Sequence, residues 1–155
     1  MMKFKYRKFP VTEKTESHPN VNYRSRPVIL IFVKHGHRKI PTYSLIDSGA
    51  DTCIFDASIG KELGIDIVKG KNGKMYGLKQ EPVNVYYHNI ELSIGGRTFP
   101  CYAGFLSPHF KVPYGGILGQ EGLFSKFIVK FDYVKRKIEL IERKIKRKQK
   151  RNNMH

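Results

Sequence analysis

The stretch Tyr43-Ser44-Leu45-Ile46-Asp47-Ser48-Gly49-Ala50-Asp51-Thr52-Cys53-Ile54-Phe55 constrains the chain more than any other, because a carboxylate and a tight polar bend interrupt two apolar, β-prone runs. Residues 43–46 and 52–55 are rich in aromatic and branched side chains and read as strands, with Ser48-Gly49-Ala50 as the compact bend between them. Asp47 is thereby expected at the mouth of a buried turn. A buried carboxylate without a partner is costly, so a chain keeps one where it is hydrogen-bonded or does chemistry. Its neighbours suit chemistry. Ser48 offers a hydroxyl that can lock the loop, Gly49 allows close backbone approach to a ligand, and Ala50 adds no bulk. The bland alternative is an ordinary type I turn, which favours the same residue types.

A second stretch downstream weighs against the bland alternative: Gly116-Ile117-Leu118-Gly119-Gln120-Glu121-Gly122-Leu123-Phe124, running on into residues 125–132. Asp47-Ser48-Gly49-Ala50 followed at this distance by Ile117-Leu118-Gly119 resembles the active-site turn and the core-closing apolar-apolar-Gly segment of the retropepsin-like (retroviral-type) aspartic proteases. The resemblance covers roughly residues 27–142. A helix at residues 56–64 makes it more similar to the bacterial and retrotransposon-type members than to the smallest retroviral enzymes. It implies a mainly β subunit of one lobe, a closed β-barrel of the acid-protease type with one or two short helices.

It also implies an aspartic endopeptidase with Asp47 as its catalytic acid. Ser48, Gly49 and Ala50 would support the active loop. Gly49 and Asp51 would bind the substrate backbone together with Gly70, Asn72, Gly73 and Lys74 of a glycine-rich flap. Retroviral members pair the residue at position 51 with an arginine just after the apolar-apolar-Gly motif, whereas this chain has Gln120 there. Carboxylate-catalysed hydrolysis needs two acids sharing one proton, and the chain has one Asp-Ser/Thr-Gly. A homodimer with twofold symmetry, bringing two copies of Asp47 together, is the consequence. The substrate is expected to be a protein or peptide bound as an added strand. No cofactor and no metal is required. His35 and His37 flank Gly36 at a hairpin tip, without a third ligand at suitable spacing, and read as solvated.

The rest of the chain divides into a basic N-terminal arm, residues 1–26, on which no regular structure is forced, and a basic C-terminal tail, residues 143–155. Lys and Arg number 29 against 13 acids, for a net charge of +16, so polyanion contact is favoured, through residues 143–151 in particular. That run has no aromatic residue for base stacking. A non-catalytic dimerisation or binding module with the same fold, and a nucleic-acid-associated domain acting through the tail, are the competing functional classes. No apolar run approaches the ~18 residues of a membrane span and the N-terminus has no apolar h-region, so a soluble, cytoplasmic chain is expected. Cys53 and Cys101, both inside apolar runs, read as reduced packing residues.

Among the individual elements, residues 28–33 form a continuous apolar run, expected to be buried on both faces or at a subunit contact. Gly36 turns the chain back into residues 39–46. Asp56 is expected to cap the short helix, with Ile59 and Leu63 on one face and Gly64 ending it. Residues 65–69 read as a strand, and Asn72-Gly73 as the turn of a hairpin that continues into Met75-Tyr76-Gly77-Leu78. Residues 83–94 and 98–106 form a hairpin at Gly95-Gly96. A short helix from Gly119 would bury Leu123, Phe124 and Phe127, and a last hairpin would turn at residues 134–136, with Asp132 serving that turn.

Overall fold

The chain is described by a computed structural model over residues 1–77 and 81–144. In chain order its elements are β1 (Met2–Lys5), β2 (Arg7–Pro10), β3 (Tyr23–Arg26), β4 (Val28–His35), β5 (Arg38–Ile46), β6 (Ile54–Phe55), α1 (Ala57–Glu62), β7 (Lys71–Tyr76), β8 (Pro82–Ile94), β9 (Arg97–Leu106), β10 (Gly116–Leu118), β11 (Phe127–Asp132) and β12 (Lys137–Glu142). Six of them close into a barrel in the order β4-β5-β10-β6-β9-β8, because β8 also pairs back onto β4, and β7 extends the sheet beyond β8. Closure leaves few backbone edges unpaired.

The barrel interior follows the period of two. Ile29, Ile31 and Val33 of β4 and Ile90, Leu92 and Ile94 of β8 point inward and are almost fully buried. They meet Phe55, Phe105, Leu118, Leu123 and Phe127 in one core. Burying each such side chain contributes about 2 kcal/mol, so a one-residue slip of register would forfeit many of these terms at once. On the outer face of β4, Val28 is buried but Leu30 is 44% exposed and its cross-strand partner Tyr43 is 40% exposed, so within the subunit the run is not buried on both faces, which leaves the subunit-contact alternative.

Residues 1–26 contain three strands. β1 pairs with β12, giving a three-stranded sheet β1-β12-β11, while β2 and β3 form a hairpin of their own. Met2 and Phe4 pack against the main core, a long-range gain that charge-rich local sequence does not advertise.

Several local expectations are corrected. Residues 65–69 hold a 3-10 turn, Ile67–Lys69, whose Ile67 side chain is buried beside α1. Asp56 precedes α1 but makes no side-chain cap; its carboxylate instead accepts the Val112 N–H at 3.3 Å and lies 3.9 Å from Lys111 Nζ. Gly64 does end the helix, at φ +74. After Gly119 the chain makes bonded turns and no regular helix, since Gly122 at φ +118 lies outside helical space. Leu123 and Phe127 are nevertheless buried. Leu78 and the basic run from residue 145 lie outside the described residues.

Ser44 is fully buried on the inner face of β5, and among the described residues its hydroxyl is a buried side-chain polar atom without a partner. Removing an unsatisfied buried group costs nothing and can stabilise. Ser44→Ala should therefore leave urea-unfolding stability unchanged or raise it by up to ~1 kcal/mol. A loss of stability of that size would mean that the hydroxyl has a bonded partner.

Candidate active site

The site is built by one topological device. β5 delivers the chain to Asp47 and β6 carries it away, and the two are not neighbours in the sheet: β10 lies between them, parallel to β5 and antiparallel to β6. Ile117 faces Leu45 on one side and Ile54 on the other. The Asp47 turn must therefore span the width of β10, and the backbone at its root is tied down by the Asp47 N–H donating to the Leu118 carbonyl at 3.1 Å. Gly116 permits this insertion, because a Cβ there would stand 2.6 Å from Ser44 Oγ and 2.7 Å from the Phe55 ring.

Asp47 is half-buried, and its Oδ1 accepts the Gly49 N–H at 2.8 Å, while Ala50 N–H reaches back to the Asp47 carbonyl at 3.3 Å. The bend itself is not buried within the subunit: Ser48 and Gly49 are exposed. Behind it, Gln120 and Glu121 form a backbone clamp, donating their N–H groups to the Ala50 and Asp51 carbonyls at 2.8 Å each. The Gln120 side-chain amide donates to the Ser48 carbonyl at 2.6 Å. The glutamine thus grips the bend through its backbone. Asp51 is exposed, with no ion-pair partner among the described residues.

An open groove of about 350 Å³ runs past this turn. It is lined by Asp47, Gly49, Ala50, Asp51, Thr52 and Ile54 of the turn and β6, by Lys74, Met75, Tyr76 and Tyr87 of β7 and β8, and by Ile117 of β10. Thr52 Oγ1 and the Tyr87 hydroxyl lie 3.1 Å apart, linking the active turn to the long strand β8, and Tyr87 stacks on Tyr102. Under the turn, the free thiols of Cys53 and Cys101 are buried. Cys53 Sγ donates to the Glu121 carbonyl at 3.4 Å, and the neighbouring thiols act on each other, which lowers the pKa of Cys53 and raises that of Cys101, with burial adding to the rise at Cys101.

Of the residues singled out in the sequence, Asp47, Gly49, Ala50, Asp51, Lys74 and Ile117 come together on the groove. Leu118 is fully buried behind them, Gly119 packs against the back of the turn, and Ser48 stands at its exposed tip. Gly70, Asn72 and Gly73 do not line the groove. Asn72 and Gly73 are mid-strand, paired with Tyr86 and Val85, and the β7–β8 connection falls five residues later, at residues 77–81. Gly70 instead packs against His88 and the Tyr87 carbonyl. Met75 and Tyr76, placed on the hairpin but given no site role, and Thr52, Ile54 and Tyr87, likewise assigned none, also line the groove. The bracketing Gly77 and Pro82 are turn signals that could have found the first two.

No protein-family model and no curated protein matches the sequence. Solved structures do match by shape. A retropepsin-like aspartic protease from Rickettsia conorii superposes with a TM-score of 0.53 at 15% identity, over 90% of this chain and 96% of that one. The retroviral protease-like domain of Ddi1 from Leishmania major gives a TM-score of 0.52 at 12% identity, over 74% of this chain and 87% of that one. The fold implied by the two sequence motifs is therefore the observed one: a retropepsin-like barrel of a single lobe.

Proposed function

We propose that the chain is an aspartic endopeptidase, active as a twofold-symmetric homodimer in which two copies of Asp47 form the catalytic pair. One observation carries the reading: a half-buried carboxylate, oriented by the Gly49 N–H on an exposed turn, opens onto a groove that the β7–β8 hairpin also lines. Exposure of Ser48 and Gly49 leaves the turn free to meet its symmetry mate.

Two carboxylates a few ångströms apart cannot both ionise readily, so the pair holds one proton. The charged member takes a proton from a water held between them, and the resulting oxygen attacks the peptide carbonyl. The protonated member gives its proton to the carbonyl oxygen, producing a neutral tetrahedral diol. In the collapse, the now charged member takes a proton from a diol hydroxyl while the other gives its proton to the leaving amine as the C–N bond breaks. Apolar Ile54, Met75 and Ile117 suit apolar side chains beside the scissile bond, and the β7–β8 hairpin acts as the flap over an extended substrate. Lys74, exposed on that hairpin, and Asp51, exposed on the active turn, offer charged contacts to the bound segment.

Since a lone subunit holds half a site, specific activity should depend on protein concentration. Peptidase assays across a dilution series, paired with sedimentation velocity, should show turnover per subunit falling in step with the dimer fraction. Constant turnover per subunit through dissociation would defeat the shared-site reading.

A further inference from the structure

Arg7 of β2 lies directly opposite Arg26 of β3, and like charges facing each other across an antiparallel pair are destabilising. Neither has a carboxylate within 4.0 Å among the described residues, and the same holds for Arg24 and Arg136. The Tyr6 N–H donates to the Arg136 carbonyl at 2.9 Å, which lays the link between β1 and β2 against the β11–β12 turn and joins both arginine sets into one surface. There the Arg136 guanidinium stands 3.7 Å over the ring of Tyr133, which is 66% exposed. The Arg136 guanidinium, with the fields of Arg26 and Arg24, holds the Tyr133 phenol below its ordinary pKa, in keeping with the shared surface that the Tyr6–Arg136 bond and the Arg7–Arg26 pairing lay out. Arg7 stacks likewise on Tyr43, at 4.1 Å. The acid nearest the turn, Asp132, is occupied by Lys135, accepting its N–H at 2.8 Å and lying 3.9 Å from its Nζ.

We infer that this surface, formed by the β2–β3 hairpin and the β11–β12 turn, binds single-stranded nucleic acid. Clustered unpaired guanidinium groups attract polyanions, and phosphates meet them in bidentate geometry. Exposed tyrosine rings set among them are stacking platforms for bases, which only unpaired strands can present. A lipid surface fits less well, since it calls for an apolar wedge and the turn offers one aliphatic side chain, Val134. The surface shares no residue with the groove at Asp47 and is distinct from the basic run beyond residue 144.

The test is fluorescence anisotropy of the full chain with a labelled oligouridylate of about 20 nucleotides, long enough for several contacts, across a salt series. A triple variant, Arg24→Gln, Arg26→Gln and Arg136→Asn, removes the charges; asparagine tolerates the φ of 54° at position 136. It should bind at least about tenfold more weakly at ~0.1 M salt, with the log–log salt slope reduced by about 2, and keep its circular dichroism spectrum. The same loss should appear in a full-length background with Lys146, Arg147, Lys148, Lys150 and Arg151 changed to Gln, which separates this surface from the tail. Tyr133→Ala should weaken the single strand about fivefold or more and leave duplex binding nearly unchanged. Wild-type affinity and slope in the triple variant would overturn the inference. So would binding to phosphatidylserine vesicles without binding to the oligonucleotide.

Discussion

Asp47→Asn should abolish peptide hydrolysis, lowering kcat/KM by about 10⁴-fold or more, because one substitution removes both the general base and the general acid from a symmetric pair. The fold should survive. Asparagine keeps an oxygen where Asp47 Oδ1 accepts the Gly49 N–H, and the Asp47 N–H bond to Leu118 belongs to the backbone. Circular dichroism and sedimentation should match the wild type while turnover disappears. In the proposed dimer the variant should also act on wild-type subunits in mixtures, since a mixed pair holds a single carboxyl group. Full peptidase activity in purified Asp47→Asn would remove this residue from the reaction and leave the retropepsin-like fold as a binding module.

The second large effect is expected at Gly119. A methyl group there would run into the Thr52 carbonyl oxygen and stand 2.6 Å from that of Ala50. These are backbone atoms of the active turn and its continuation, held by the Gln120 N–H to Ala50 and Glu121 N–H to Asp51 bonds, so relief means moving the turn itself. Gly119→Ala should cost ~3 kcal/mol in urea unfolding, at the upper end of the range for overpacking. The variant that remains folded should lose most of its activity, since Asp47 is tied to the same segment through Leu118. Near-wild-type stability and turnover would mean that the turn and the segment behind it are not rigidly coupled. The contrast with Ser44→Ala is instructive: one change adds a methyl where there is no space, the other removes an oxygen that nothing bonds.

The legible part of this protein was the part carried by near neighbours in sequence. Alternating apolar residues at 90, 92 and 94, glycines at 95 and 96, and the return at Gly36 each specify a strand or turn through local sterics and burial period, and the structure has them in place. Asp47 and Ile117 could be connected only because two motifs occurred together; nothing in either stretch states that the second inserts between the strands flanking the first. Asn72-Gly73 shows the opposite case, a strong local turn signal that lost. With the turn at those residues, Val83 and Met75 could not sit cross-strand beside the cluster of Ile54, Val85, Leu106 and Val112, so burial outweighed turn propensity.

The amino-acid sequence alone determined the β character of the chain, most of its hairpins, and the turn that carries Asp47, because those depend on interactions between residues a few positions apart. Tertiary structure alone decided which groups share a groove, where the β7–β8 connection falls, and that Arg7 and Arg136 stack on the exposed rings of Tyr43 and Tyr133. Those outcomes depend on pairings between distant segments, such as β10 within β5 and β6 and Tyr6 against Arg136, whose free energy comes from collective burial and shared hydrogen bonds.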